Sequence, residues 1–371
     1  DPAPRRKLLS LRGGAGATLQ KTLPKAFEKA LTEDNLIVVR AAVESGTVDP
    51  RTCPSATGNA MVHIAASHDS LRCLLFLLDG GHSPVDLRRF DGVTASMFAA
   101  QNGMREALQS LLQRGADVNA ADNDGSSAIH FAARQGHAEC LGVLLQSRGA
   151  KLDAKRTDGI TALMCAAASS RLECLQLLLS CGADATVTNE VGATALHFAS
   201  RQGNRDCIEA LLRSRVAQKI VGMQDKVGTA PLHLAVDGGH GAGASALMRA
   251  GAAVDPKRKD GSTPLHYASI KGNLECARLL LAAGADASAR RTDGATPAHM
   301  AAQMGHADVL EQLMNGGADL NARLPSGSTP LDLASAAAQA GGVRRKAKPP
   351  IGHLNCIVLL EQAGAVSSAS R

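Results

Sequence analysis

Aromatic side chains are nearly absent from this 371-residue chain: it has no Trp, one Tyr and six Phe. A nucleic-acid surface built on base stacking needs such rings, so nucleic acid is not an expected partner. A core has to come from Leu and Ala instead, within a composition that is 45% apolar. No apolar run approaches the ~20 residues that cross a bilayer as a helix, so no transmembrane segment is expected. There is no Gly-x4-Gly-Lys-Ser/Thr, no Gly-x-Ser-x-Gly, no His-Glu-x-x-His and no Cys-x-x-Cys. Those absences remove the signatures of phosphate loops, nucleophile elbows, zinc proteases and paired-cysteine sites. Gly238-Gly239-His240-Gly241-Ala242-Gly243 has no strand before it and reads as slack between helices. The expectation is a chain that is not an enzyme and needs no cofactor and no metal.

What the chain does have is a period. Marker glycines stand at 58, 92, 125, 159, 192, 228, 261, 294 and 327, with gaps of 33 to 36 residues. A fixed period of this size marks a solenoid, whose units bury their apolar faces against their neighbours. Each unit reads turn, helix, loop, helix, turn. Thr follows two residues after the marker at 94, 161, 194, 263, 296 and 329 and is placed to cap the first helix. Pro follows at 231, 264, 297 and 330, the first helical position. A second glycine, eleven residues after the marker at 103, 136, 203, 239, 272 and 305, ends that helix. Leu runs such as Leu177-Leu178-Leu179 fill the second helix, and Gly-Ala closes the unit at 115, 149, 182, 251, 284, 317 and 364.

This spelling resembles the ankyrin-repeat family. The Thr-Pro-Leu-His-x-Ala core, the mid-repeat Gly-His and the closing Gly115-Ala116-Asp117-Val118-Asn119 carry the resemblance. It implies an all-α solenoid of helix-turn-helix units joined by short β-hairpin loops. The expected organisation is a basic disordered tail over 1–25, a degenerate N-terminal capping repeat over 26–56, nine repeats in one continuous solenoid over 57–366, and a short tail over 367–371. The fifth unit departs from the pattern: Arg213-Ser214-Arg215-Val216 replaces the closing Gly-Ala and three further residues follow. The segment 213–227 is the expected weak seam. The ninth unit carries a basic insertion at about 337–350 that reads as a flexible loop, with nuclear import or an acidic-surface contact as the rival.

Cysteine and histidine keep the same register. Cys73, Cys140, Cys174, Cys207 and Cys276 lie fifteen residues after their markers, and Cys356 does so once the insertion is removed. Such a column is a buried site for a small residue and points to a reducing compartment. His63, His130, His197, His233, His266 and His299 lie five residues after the marker; His137, His240 and His306 lie twelve after it. One histidine per unit is not a metal cluster. The resemblance implies that the first set hydrogen-bonds between adjacent repeats.

The residues free to differ between units are the candidates for binding. Lys257, Arg258, Lys259, Arg290, Arg291 and Arg323 form a basic ladder on successive turns, readable as a solvated surface or as a docking strip for an acidic partner. Phe98, Phe131, Phe198 and Tyr267 share one first-helix position and read first as core filler, or as anchors if partly exposed. Asn119 and Asn321 have the spacing of ankyrin Asn residues that an asparaginyl hydroxylase modifies, against the simpler role of bonding the local hairpin backbone. The functional expectation is a monomeric scaffold or adaptor binding a protein along its concave face and hairpin tips. The alternatives are a targeting or regulatory region of a larger enzyme or channel, and a basic polyanion-binding module. The cytoplasm is the expected compartment, with the nucleus as the alternative. The basic, acid-free segment 5–25 and a first residue other than Met leave a processed chain or a mitochondrial presequence remnant as the lesser reading.

Overall fold

The computed structural model describes residues 25–51, 58–343 and 351–368. Most of the basic tail, Cys53 and the Arg344–Lys348 run of the insertion lie outside these residues. The structure divides into two compact units, one ending at Thr157 and one beginning at Asp158.

The first unit contains α1 (Lys25–Thr32) and α2 (Leu36–Glu44) of the capping repeat. Then come α3 (Met61–Ser67) and α4 (Leu71–Asp79), α5 (Ala95–Asn102) and α6 (Arg105–Gln113), and α7 (Ala128–Gln135) and α8 (Ala138–Gln146). Leu74, Leu77, Leu108, Leu111, Leu141 and Leu144 of the second helices are fully buried. They close on Ala99, Ala100, Ala132 and Ala133 of the first helices, whose small side chains let the helices approach. Each buried Leu contributes about 2 kcal/mol by removing apolar surface from water. No helix buries that surface without the next repeat, which is why stacking and folding are coupled.

The second unit continues with α9 (Ala162–Ala168), α10 (Leu172–Ser180), α11 (Ala195–Gln202), α12 (Arg205–Leu212), the short α13 (Ala217–Ile220), α14 (Pro231–Asp237) and α15 (Gly241–Arg249). It ends with α16 (Pro264–Lys271), α17 (Leu274–Ala282), α18 (Pro297–Met304), α19 (Ala307–Asn315), α20 (Pro330–Val343) and α21 (Ile351–Gln362). The extra residues of the fifth repeat are α13 with its flanks, and Ile220 and Val221 are buried. The ninth-repeat insertion is not wholly a loop, because α20 runs on through Val343.

The turns between repeats stack backbone on backbone. In seven of the described hairpins the residue three before the marker donates its N–H to the carbonyl one after it, as in Arg258 N to Ser262 O at 3.0 Å. The residue two before the marker donates to the previous hairpin, as in Thr292 N to Asp260 O at 3.0 Å. Among the described residues one antiparallel bridge is formed, Ala121 with Ser127, so the expected β-hairpins are tight turns more than strands. The marker glycine must lack a side chain: a Cβ on Gly261, at φ +77°, would stand 2.9 Å from Arg291 Cα.

The mid-repeat position is left-handed from the capping repeat through the eighth and is filled in more than one way. Where the next repeat has histidine twelve after its marker, the position is glycine. His137 lies over Gly103 and His306 over Gly272, and each ring donates Nε2–H to the preceding repeat, at Gln101 O and Ile270 O. Where that histidine is missing the residue varies: Gly136 and Gly239 remain, Ser170 stands in the fourth repeat, and Asp34 and Asp69 take the left-handed conformation in the capping and first repeats. Their carboxylates then accept backbone N–H groups at the start of the next second helix, from Cys73 at 2.9 Å and Ala107 at 3.0 Å.

Candidate functional site

The surface made by the hairpin tips and the exposed side of the first helices is positioned by a buried histidine in most repeats. In the seventh repeat Thr263 N–H donates to His266 Nδ1 at 3.1 Å, and Nε2–H donates to Ala295 O of the next hairpin at 3.2 Å. A backbone N–H can only donate, so Nδ1 is the acceptor and the proton sits on Nε2. His197 and His233 repeat the arrangement, toward Thr229 O and Ser262 O. Burial opposes the charged ring: His233 and His266 are held down to about 4, and His63, His197 and His299 are lowered for the same reason. In the ninth repeat Asp332 occupies this position. It accepts Thr329 N–H at 2.8 Å and the Ser367 hydroxyl at 2.6 Å, tying the last described residues to the final repeat.

The basic ladder resolves into two columns. One lies four residues before the marker and clamps hairpin to hairpin. Arg290 donates to Arg323 O at 3.2 Å, Gln224 to Lys257 O at 3.3 Å, and Arg88 to Ala121 O at 2.6 Å. The other lies three residues before the marker and covers the first-helix residue nine positions later. Arg258 sits over Tyr267, 5.7 Å from the ring centroid, and bonds its hydroxyl. Arg89 sits over Phe98 at 5.5 Å, and Arg291 meets Met300 Sδ at 3.9 Å. Arg291 also lies between Asp260 at 3.6 Å and Asp293 at 3.5 Å. Lys257 and Lys259 are exposed, and no described acceptor pairs with either ammonium. Arg290 and Arg323 are exposed as well.

The four rings sit at the edge of the core: Phe98 meets the buried His63 of the preceding repeat at 5.7 Å between ring centroids, and Tyr267 meets His233 at 5.8 Å. Phe98, Phe131, Phe198 and Tyr267 are all half-buried. The three residues before Tyr267 and the two after it are buried, so this position points out of an otherwise enclosed helix. Arg134 lies over Phe131 at 5.2 Å. In the first unit a recess of about 350 Å³ is lined by Phe98, Phe131, Arg89, Arg134, Asp122 and Asp124, among others.

The closing-turn asparagines act between repeats, not locally. Asn119 donates to Gly149 O at 2.8 Å and accepts from Lys151 N–H at 2.9 Å. Asn321 accepts from Val366 N–H at 2.8 Å. Asp86, Asp255 and Ser288 accept from the following repeat's backbone in the same register, at Asp117, Asp286 and Asp319. That shared role was hidden in the sequence because three residue types perform it.

The cysteine column is buried, at 0 or 1% exposure from Cys73 through Cys356. Burial pushes these thiols up, Cys73 to about 12 and Cys140 to about 11. All eight described cysteines are free thiols, and Cys181 is exposed. No group of three or more His, Cys, Asp or Glu able to hold a metal ion occurs among the described residues. No described helix is long and apolar enough to cross a membrane.

Curated relatives match this chain over parts of their own length. A probable E3 ubiquitin-protein ligase of Oryza sativa subsp. japonica, XBOS32, is 35% identical over 31% of this chain and 23% of the relative. The transient receptor potential cation channel subfamily A member 1 of Homo sapiens is 30% identical over 54% of this chain and 16% of the channel. The B-cell lymphoma 3 protein homolog of Mus musculus is 27% identical over 42% of this chain and 28% of the relative. The chain thus spans under a third of each of these proteins. The family profile described as ankyrin repeats in three copies matches residues 30–122, 62–156, 96–189, 149–221 and 216–291, and a second, ankyrin repeats in many copies, matches 284–334. With the marker glycines, capped helices and stacked hairpins accounted for, the chain belongs to the ankyrin-repeat family.

Proposed function

We propose that this chain is a non-catalytic protein-interaction module that holds a partner along its hairpin tips and first helices. The observation that carries this reading is that the rings at this first-helix position in each unit are half-buried, packed inward on one side and open to the surface on the other. In the second unit the partner's acidic segment would meet Lys257, Lys259, Arg290 and Arg323, while Arg258 and Arg291 hold the surface in shape. Exposed charges of this kind chiefly raise the association rate and make binding salt-sensitive. Phe98 and Phe131 would anchor apolar side chains on the first unit, and Phe198 and Tyr267 on the second. The module acts as a monomer in this reading, in the cytoplasm or the nucleus.

The test is a pull-down with the intact chain beside the triple variant Lys257→Glu, Lys259→Glu, Arg323→Glu, which leaves the Arg290 clamp in place. Binding of an Asp/Glu-rich peptide should fall at least tenfold with helicity unchanged. Capture that is unaffected at low salt would leave these cations as a solvated face. Strong retention on heparin by the intact chain and not the variant would favour a polyanion-binding role.

A second reading has its own observation. The relatives are far longer than the matched segments, so this array also suits the regulatory or targeting region of a larger protein. The full reading frame decides that point. Asn119 and Asn321 remain proposed hydroxylation sites, but each must first release its inter-repeat bonds. Asn321 is the better candidate, since it is tied only to the last described segment. Intact mass unchanged after incubation with an asparaginyl hydroxylase would remove both.

A further inference from the structure

One recess in the second unit lies away from the hairpin face. Between α10, α12 and the turn after each runs a groove of about 800 Å³, within the range of ligand clefts. Leu179, Ala183 and Val216 give it apolar walls, and Gln176, Arg213 and Arg215 give it polar ones. It opens where the fifth repeat replaces its closing Gly-Ala. A groove in the same register exists in the first unit, between α6 and α8, of about 460 Å³. There the third repeat has one extra residue before its closing Gly149. Both grooves lie beside closing turns that carry added residues.

Each groove has two arginines in its walls, Arg105 and Arg148 in the first and Arg213 and Arg215 in the second, and the two differ in what stands beside Arg213. Gln146 stands in the first where Arg213 stands in the second, and Ala138 precedes it where Arg205 does. Arg205, Arg213 and Arg249 converge on one carboxylate, Glu209, at 2.8, 3.0 and 3.9 Å. All three guanidinium side chains are more than half exposed. Arg215 and Lys219 add charge beside the groove, while Asp206 and Asp184 oppose it. Asp184 is occupied by Thr186, whose N–H and hydroxyl it accepts at 2.8 and 2.7 Å. Of Glu209 and its three arginines, Arg213 alone lines the groove, and one carboxylate among three guanidiniums leaves a surplus of positive charge beside it on the exposed side of α12.

We propose that this groove docks a peptide segment bearing a phosphorylated serine or threonine, with the chain along the groove and the phosphate among Arg205, Arg213 and Arg249. The chemistry favours phosphate over carboxylate. A phosphate brings a charge of roughly −1.5 to −2 and three acceptor oxygens, and guanidinium donors match it in bidentate geometry. Glu209 holds the three arginines together when the groove is empty and competes with the incoming anion.

Fluorescence polarisation with the intact chain tests this, using a degenerate nine-residue peptide pool with phosphoserine fixed at its centre. Matched pools carry Ser or Glu there. The phosphoserine pool should bind saturably and at least tenfold more tightly than either control. Arg213→Gln, which copies the first-unit groove, should weaken it at least tenfold, and Arg249→Gln severalfold. Both residues are exposed, so circular dichroism should be unchanged. Glu209→Gln should raise affinity about threefold. Equal binding of the Glu pool, no saturable binding of the phosphoserine pool, loss of binding in Glu209→Gln, or equal displacement by single-stranded DNA would each overturn the proposal. These variants leave Lys257, Lys259 and Arg323 untouched, so failure here is separate from failure at the hairpin face.

Discussion

The second and seventh repeats solve the same problem in opposite ways. In the seventh, His266 is buried and bonds Thr263 N–H, the Thr263 hydroxyl and Ala295 O. In the second, Met97 fills that space, and the hydroxyl of buried Thr94 has no partner. The next hairpin is held from outside instead, by Arg88 donating to Ala121 O at 2.6 Å. A hairpin can therefore be fastened by a neutral ring within or by a cation on the rim. The lesson for function is that part of the basic rim is structural, and that Lys257 and Lys259 are the cations with the most freedom to meet a partner.

Acid should separate the two kinds of repeat most strongly. The rings of His233 and His266 titrate at about 4 in the folded chain, below the usual unfolded value near 6.5. Their contribution is present in full above the unfolded value and is lost as pH falls from about 6.5 toward 4. By linkage each loses about 2 kcal/mol at pH 5. Urea unfolding at pH 7.5 and pH 5 should show a clear fall in midpoint, reduced in the double variant His233→Met, His266→Met. Equal midpoints at the two pH values would mean that these rings are not buried neutral.

Changing the marker glycine should hurt both repeats alike, because the hairpins stack on it whichever fastener is used. Gly261→Ala and Gly92→Ala each place a Cβ about 3 Å from the next hairpin's backbone at positive φ. The cost should be about 3 kcal/mol, from the left-handed conformation and the close approach together. A loss below 0.5 kcal/mol by urea unfolding in either would show that the hairpins can separate at little cost.

A smaller effect isolates the rim clamp. Arg88→Ala should cost about 1 kcal/mol, the net worth of a charge-assisted bond on a half-exposed site. Exchange of the amide hydrogens around 121–126 should speed up with it. Lys257→Ala and Lys259→Ala should stay within about 0.5 kcal/mol of the parent. If Arg88→Ala is equally silent, the distinction between clamping and free cations fails.

The repeat boundaries and the buried columns were legible because a single physical demand acts on each. Gly159 and Gly228 are the only residue type that fits under a neighbouring backbone, and Cys140 and Cys174 fill a space too small for Leu. The ring column keeps the period of the core and lies at its edge, with Phe98 and Tyr267 against buried histidines. Its true setting follows from helix geometry, where one residue is a turn of about 100°. His266 and Ala268 face the stack, and Tyr267 between them points outward. The pairing of Arg89 with Phe98 and of Arg258 with Tyr267 was visible as a spacing of nine residues, but only the hairpin's fold-back gives that spacing a meaning.

Sequence by itself determined the family, the order of helices and turns, the buried thiols and the residue types at each repeated position. Those depend on local conformation and on the period, both of which are written along the chain. Tertiary structure alone decided which arginines fasten hairpins, which cations stay free, that Asn119 staples to the next repeat and does not serve its own turn, and that three arginines from two repeats meet on Glu209 beside one groove. Each of these depends on contacts roughly one repeat apart in the chain, where the partner is a backbone carbonyl, an amide or a carboxylate that no local pattern spells.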